Sequence, residues 1–404
     1  MLHSWHKAAN ARFTPYAGYE MPIQYGSAVE EHRLCRRSVG LFDIAHMGRF
    51  LLTGGEPSHD HIGCSCSTGS SGNGAGPALS ALVTSAILDM RIGEARYSLL
   101  LNEQGGVIDD LFIYRLGESG GRVDSWFVVV NAGNKKTDFD WFTEHLPSRV
   151  FLKDLSDETY MIAVQGPRAS ELLDLLVTKD NESEQPGIIS TILDSVPLSH
   201  NVSSIPRSQL ARVCLGGIPV LAGRTGYTGE DGAEIYFAAE NAQTLWEAIL
   251  AEAESAGIEA GPVGLAARDS LRFEAGMPLH GHEIGPEINP MEALLSWACD
   301  FTKDFTGKEA LLAQKAAGLK RKLATVNVTG GVPREAYKVM NDKEEPVGEV
   351  VAGMFCPSTG TYSANIFMPP EYAVAGTKLM IEIRGTLKEA EVTKRPLYMP
   401  VYRK

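Results

Sequence analysis

The chain has 404 residues, more than one ordinary core accommodates, so two or three domains are expected. Hydrophobic residues make up 44% and charged residues 22%, the balance of a soluble globular protein, and no apolar run approaches the roughly 20 residues that span a bilayer. A formal charge of −13 sets the surface against phosphate backbones, which disfavours nucleic acid as a partner but leaves room for small anions held by placed arginines.

The opening run from Met1 to Phe13 is basic and contains no acid, a faint likeness to a transit peptide, and reads better as the start of the folded body. A strand-like stretch, Gly40–Ile44, leads to His46, which reads as a structural or pocket histidine rather than a base. His59, His61, Cys64 and Cys66 crowd one short segment, whereas a zinc site usually draws its ligand pairs from separate elements; the segment reads as an exposed loop. The remaining cysteines are scattered, as in a reducing compartment. Ser65–Pro77 is the one low-complexity stretch, a flexible loop; its glycines lack the preceding strand and the spacing of a dinucleotide fingerprint.

A helix is expected over Ala78–Leu88. Arg96–Leu101 and Val107–Leu116 read as strands joined by the glycine-containing turn of residues 102–106, a hairpin. Trp126–Asn131 is an apolar strand, Lys136–Leu146 has helical spacing, Thr159–Gln165 is a strand and Pro167–Val177 a helix. Ile218–Arg224 is a strand, and Ala242–Ala253 and Gly264–Met277 are helical. After a helix at Lys308–Ala317 the pattern changes to short strands: Lys322–Val328, Gly348–Met354, Tyr362–Phe367, Lys378–Ile383 and Glu389–Val392. The fold class is therefore α+β, with an all-β barrel or sandwich at the C-terminal end.

Three places are costly for a pure scaffold. In the strand Val107–Tyr114, alternation puts Asp109 with Val107, Leu111 and Ile113, and Asp110 with Ile108, Phe112 and Tyr114. Both faces are apolar, so at least one carboxylate sits in a hydrophobic setting, where it is either put to use or bonded to main-chain amides. Arg224–Glu234 is a turn-rich segment whose glycines permit close backbone approach, and Glu234 opens an apolar strand, although by composition alone the segment reads as an ordinary acidic loop. In the helix Gly264–Met277, Ala267, Leu271 and Phe273 share an apolar arc, Arg268 and Arg272 form a basic edge that reads as solvated, and Glu274 falls inside the arc, where it needs a partner. His280-Gly281-His282 has no nearby cysteine pair and is not read as a metal site.

Taken in order, these runs resemble one family, the aminomethyltransferases (T-proteins) of the glycine cleavage system. The residues that carry the resemblance are Tyr19–Ser27, Glu30–His32, Ser38–Met47, Asn102–Asp110, Val164–Pro167, Arg224–Glu234, Gly264–Met277, Gly385-Thr386 and Val392–Pro396, so it extends from about His3 to Tyr402. It implies a multidomain cloverleaf, with residues 1–305 a folate-binding body of two interleaved subdomains and residues 306–404 a jelly-roll-like β-barrel. It implies that Asp110 is the essential carboxylate beside the reacting pterin nitrogens, that Glu234 accepts hydrogen bonds from the pterin, and that Arg268 contacts substrate. It further implies that Tyr402 is the C-terminal tyrosine that reaches the site and that Tyr97 and Phe127 line it.

The implied reaction moves the methylene group of the aminomethyl-lipoyl H-protein to tetrahydrofolate, releasing ammonia and giving 5,10-methylenetetrahydrofolate in glycine catabolism. Tetrahydrofolate enters as co-substrate, the lipoylated H-protein is the partner, and neither metal, nucleic acid nor membrane is implied. The expected compartment is a bacterial cytoplasm, or a mitochondrial matrix with the transit peptide left out. The chain departs from the family pattern at the Gly63–Pro77 insertion, at Leu82–Ala86, at Phe127 and at Ser358–Thr361. The rivals are another tetrahydrofolate-dependent demethylase and a non-catalytic folate-binding protein of the same fold; the Gly-Cys-Tyr motif of the latter is absent from the sequence.

Overall fold

A computed structural model describes residues 1–54, 74–117, 124–178, 192–400 and Tyr402. The His/Cys cluster and the Gly/Ser run as far as residue 73 lie outside the described residues. The chain divides into two compact units. Unit 1 holds Met1–Leu99, Asp110–Gly226 and Glu230–Ala267, and unit 2 holds Leu100–Asp109, Tyr227–Gly229 and Arg268–Lys404.

The strands of unit 1 begin with β1 (Arg12–Tyr16) and β2 (Tyr19–Gln24), a hairpin turning at Ala17-Gly18. They continue with β3 (Val39–Asp43), β4 (Gly48–Gly54), β5 (Ala95–Leu101), β6 (Val107–Leu116), β7 (Asp124–Val130), β8 (Phe151–Asp154), β9 (Thr159–Gln165), β10 (Leu210–Leu215), β11 (Ile218–Gly223), β12 (Gly232–Ala238) and β13 (Ala260–Pro262). The tip of the β5–β6 hairpin, residues 100–109, is counted with unit 2. One sheet has the order β5-β6-β7-β4-β8, the other β10-β11-β12-β9-β3-β13, in which β13 lies parallel to β3.

The second sheet is covered by helices whose spacing dictates what they bury. In the helix Ala242–Ser255, residues Ala242, Leu245, Trp246, Ile249 and Ala253 recur every three or four positions, and all are buried. They pack with Leu172 and Leu173 of the helix Ala169–Leu175 and with Ile162, Val164, Val220, Ile235 and Phe237 of the strands. Buried on both faces, β9 has no polar–apolar alternation and reads as a continuous apolar run.

The helix expected at Ala78–Leu88 runs instead from Ala75 to Leu82. Pro77 sits in its first turn, where a missing N–H costs nothing. The helix stops because Val83 turns extended and the Thr84 hydroxyl accepts a hydrogen bond from the Leu99 N–H at 3.1 Å, committing this segment to strand β5. The hairpin β1–β2, the helix Ala28–Arg37 and strands β4 and β10 carry no separate sequence expectation. All seven residues of β4 are buried between β7 and β8.

Unit 2 ends in a closed barrel of six strands: β14 (Lys322–Val328), β15 (Lys338–Met340), β16 (Pro346–Cys356), β17 (Thr361–Met368), β18 (Lys378–Ile383) and β19 (Thr386–Thr393). The order is β14-β17-β16-β15-β18-β19, and β19 returns antiparallel to β14, so no edge is left unpaired. Val326, Val339, Val350, Ile366, Ile381 and Val392 fill its interior. The all-β C-terminal region expected from the sequence is thus a closed antiparallel barrel. Among the described residues no helix is long and apolar enough to cross a membrane, and no group of three or more His, Cys, Asp or Glu side chains is arranged to hold a metal ion.

Candidate active site

Strand β6 fixes the first carboxylate. Val107, Ile108, Asp109, Leu111, Ile113 and Tyr114 are buried, whereas Asp110 and Phe112 on the other alternation are partly exposed. Asp109 is fully buried and belongs to unit 2; the division between units falls between the two aspartates. The Tyr97 hydroxyl of β5 donates to Asp110 Oδ2 at 2.9 Å. The Asn131 side-chain amide, just past the end of β7, donates to Asp110 Oδ1 at 2.7 Å and to the Asp110 carbonyl at 3.2 Å. Donors on both oxygens fix the plane of the carboxylate.

The second carboxylate is on β12. Six of the seven residues of this strand are buried, and Glu234 is the partly exposed exception, opposite Gly223 of β11 and Ala163 of β9. Its Oε2 accepts from the Thr225 hydroxyl at 2.6 Å and from the Tyr236 hydroxyl at 3.4 Å. The hydroxyls of Tyr114 and Thr225 lie 3.0 Å apart, as do those of Tyr114 and Tyr236. Burial first, and then the Glu234 charge, push Tyr114 above its ordinary value; burial, Tyr114 and Glu234 push Tyr236 well above it, so both phenols keep their protons. Gly232, with φ +146°, opens this strand, where a Cβ would stand 2.1 Å from the Val164 carbonyl oxygen.

An aromatic file runs between the two carboxylates. The Tyr97 ring meets Phe112 at 5.8 Å, Phe112 meets Tyr114 at 6.3 Å, and Tyr114 meets Tyr236 at 6.0 Å. Phe127, 1% exposed, is edge-on to Tyr236 at 5.2 Å and tilted against Tyr114 at 6.0 Å, so it supports these rings from β7. His46 is buried and stands edge-on to Tyr16 at 5.5 Å. Its turn is held by wholly buried Arg49, which donates to the carbonyls of Ala45 and Met47 and which burial brings down to about 10.

In unit 2, Arg268 lies over the Tyr227 ring, 4.5 Å from its centroid, and the Tyr227 hydroxyl donates to the Pro278 carbonyl. Tyr402 donates to the Gly229 carbonyl at 2.6 Å. The run leading to Tyr402 is fixed by the N–H groups of Leu397 and Tyr398, which both donate to the Glu274 carbonyl. Glu274 is fully buried, and its expected partner is the Ser358 N–H, 2.8 Å from Oε1. The basic edge of the helix Leu265–Glu274 is not solvated along its length. Arg272 is 1% exposed, with Nη1 2.8 Å from buried Glu283, because a guanidinium can enter the interior when a carboxylate enters with it.

Of the six residues singled out by sequence, Asp110 and Tyr97 are joined directly, and Glu234 and Phe127 meet through Tyr236. Arg268 and Tyr402 are arranged about the turn Tyr227–Gly229 of unit 2. Sequence reasoning missed Asn131, Thr225, Tyr114, Tyr227 and Tyr236 as partners of these side chains. Each becomes visible only through strand pairing or a turn, although Thr225 and Tyr227 lie within the quoted segment.

The chain matches the family described as the GCVT N-terminal domain over residues 2–59 and 67–303, and the glycine cleavage T-protein C-terminal barrel domain over residues 321–398. It is 39% identical over 401 residues to an aminomethyltransferase of Synechococcus elongatus, covering 98% of this chain and 95% of that protein. It is 36% identical over 411 residues to an aminomethyltransferase of Symbiobacterium thermophilum, covering 100% and 98%. The crystal structure of the glycine cleavage system aminomethyltransferase T from Bartonella henselae is similar with a TM-score of 0.81 and 29% identity, covering 100% of this chain and 98% of that one.

Proposed function

The chain belongs to the glycine cleavage T-protein family and is an aminomethyltransferase, and from that premise we propose that its acceptor is tetrahydrofolate and its donor the aminomethylated lipoyl arm of an H-protein. The observation that carries this reading is the Asp110 carboxylate of β6, oriented on both oxygens and, with Phe112, partly exposed. A pterin offers an amino group and ring N–H donors on one edge. Glu234, anchored at Oε2 by Thr225, is suited to accept them, and the rings of Tyr97 and Phe112 offer an apolar wall.

Tetrahydrofolate supplies the nucleophilic nitrogens that take up the one-carbon unit. The C–S bond to the lipoyl sulfur and the C–N bond to the amino group break, and two C–N bonds to the folate form. The two folate N–H protons end on the thiol and on ammonia, giving 5,10-methylenetetrahydrofolate and the dihydrolipoyl H-protein. As the thiolate departs, positive charge develops on the carbon, and the fixed negative charge of Asp110 lowers that barrier. The same carboxylate can take a folate N–H proton in transit. Arg268, stacked on Tyr227, and Tyr402 are assigned to substrate contact, and Phe127 to support of the tyrosines behind Glu234. Residues 1–305 are assigned to the folate-binding body and residues 306–404 to the barrel domain, and a reducing compartment such as a bacterial cytoplasm suits the free cysteines of the described residues.

The test supplies aminomethylated H-protein and tetrahydrofolate to the purified protein. Ammonia and 5,10-methylenetetrahydrofolate should form in equal amounts, and neither should form when either substrate is withheld. Turnover of a free methylamine donor in place of the H-protein conjugate would replace this reading with a demethylase.

A further inference from the structure

We propose that Asn131 is the positioning residue for Asp110, acting as the clamp that closes the end of the β6–β7 ladder and aims the carboxylate. The inference rests on the catalytic reading of Asp110 given above.

The register carries it. Strands β6 and β7 pair from Leu116↔Ser125 to Phe112↔Val129, an antiparallel series in which each step back along β6 is one step forward along β7. Two residues further, Asp110 falls opposite Asn131, and β7 has already ended at Val130. At that point the Asn131 side chain reaches back to Asp110, with Nδ2 3.2 Å from the Asp110 carbonyl oxygen and 2.7 Å from Oδ1. One amide thus ties the backbone of Asp110 and its carboxylate to the same point, which couples the side-chain rotamer to the strand. Tyr97 holds Oδ2 from β5, on the other side of β6. The carboxylate is therefore strung between donors from β5 and from the end of β7, and the Asn131 anchor also grips the main chain.

An aspartate at position 131 would keep the shape and set a second negative charge against Oδ1, whereas alanine would remove the donor. Histidine or serine at the end of β7 could end the ladder equally well as a matter of fold. The amide is what suits a carboxylate and a carbonyl together, since both are acceptors and Nδ2 carries two hydrogens.

The experiment is a double-mutant cycle on the full-length enzyme, turning over aminomethylated H-protein and tetrahydrofolate. For Asn131→Ala the expected result is a kcat lower by about ten- to a hundredfold, the rate equivalent of one hydrogen bond to a charged group, with KM for tetrahydrofolate within about threefold. In an Asp110→Asn background the same change should cost less than about twofold, because the group it positions is already disabled. Asn131→Asp should lose more than Asn131→Ala, and Asn131→Gln should restore part of the rate. Equal losses in both backgrounds, or a loss that follows melting temperature, would overturn the positioning role. An Asp110→Asn enzyme that retains wild-type turnover would instead overturn the catalytic reading beneath it. If Asn131→Ala proves unstable, the cycle is run with Asn131→Asp, whose side chain fills the same volume.

Discussion

Two carboxylates of unit 1 and one of unit 2 are held in different ways. In unit 1, Asp110 and Glu234 are partly exposed and are gripped by neutral donors: a phenol and an amide for one, a threonine hydroxyl and a phenol for the other. In unit 2, Glu283 is fully buried and meets the Arg272 guanidinium at 2.8 Å, with the Asn365 amide at 2.6 Å and the Leu279 N–H at 3.0 Å. Neutral donors orient a carboxylate without cancelling its charge; a guanidinium cancels it. The first arrangement suits the fixed anion proposed for Asp110, and the second ties the helix that bears Arg268 to barrel strand β17.

The largest expected effect tests the unit 1 side of this contrast. Asp110→Asn keeps size and shape but removes the charge and the proton acceptor, and kcat should fall by about a hundred- to ten-thousandfold with the melting temperature nearly unchanged. Stopped-time turnover together with thermal melting separates this from a folding defect; an unfolded variant would make Asp110 a strut like Glu283.

Glu283→Gln is the mirror experiment. It leaves the Arg272 charge without its buried counter-charge, with the half-exposed Asp269 remaining at 2.8 Å, and the cost expected for breaking a buried pair is about 3–5 kcal/mol of stability. Turnover at a permissive temperature should change far less than in Asp110→Asn. The pH dependence has a definite sign. Burial works to raise the Glu283 carboxyl, but Arg272, Asn365 and Leu279 outweigh it and hold the carboxyl below the usual carboxylate range. A group lowered on folding adds stability above its unfolded value and loses it as pH falls through the folded one. The wild-type melting temperature should therefore fall in acid, below the usual carboxylate range, and Glu283→Gln should start lower and fall less steeply. Parallel acid profiles would remove Glu283 from the account.

Glu234→Ala comes next in size. Removing an acceptor for the pterin edge should weaken tetrahydrofolate binding by about ten- to a hundredfold in calorimetry, as for a hydrogen bond to a charged group. A bound folate should also raise the wild-type melting temperature by mass action, and this shift should shrink in the variant. Unchanged affinity would place the pterin edge elsewhere.

Much of this contrast was legible in the sequence. Alternation along residues 107–116 put Asp110 on the face of Ile108, Phe112 and Tyr114; of these Ile108 and Tyr114 are buried, and Asp110 and Phe112 are partly exposed. Glu234 stood out as an acid at the head of an apolar strand, and Glu274 as an acid in need of a partner. The partners were not legible, because they arrive through pairing that no local period encodes. Asn131 reaches Asp110 through the register of two strands, and Ser358 reaches Glu274 from 84 positions away. Arg268 and Arg272, one turn apart, look alike as residues of a helix edge. What separates them is Glu283 and Asn365, which take one arginine inside, and Tyr227, which takes the other onto its ring. The helix Ala75–Leu82 was misplaced because Gly76 and Pro77 suggest a loop, whereas Gly76 is needed where the Trp126 ring stands 2.9 Å from a would-be Cβ.

The smallest effect is expected for Tyr97→Phe, and it discriminates between the two anchors of Asp110. The change removes only the hydroxyl that donates to Oδ2 at 2.9 Å; the ring keeps its edge-on packing against Phe112 at 5.8 Å. Asp110 and Tyr97 are both partly exposed, so a water molecule can replace the lost donor, and the net cost of such a hydrogen bond is about 1 kcal/mol, or roughly fivefold in kcat. Asn131 differs in gripping the main chain as well, so Asn131→Ala should exceed Tyr97→Phe in rate loss. Steady-state kinetics of the two variants, with melting temperatures within about two degrees of the wild type, decides the order. A Tyr97→Phe loss as deep as that of Asp110→Asn would give the phenol a proton-transfer role of its own, because an orienting donor cannot be worth more than the carboxylate it orients.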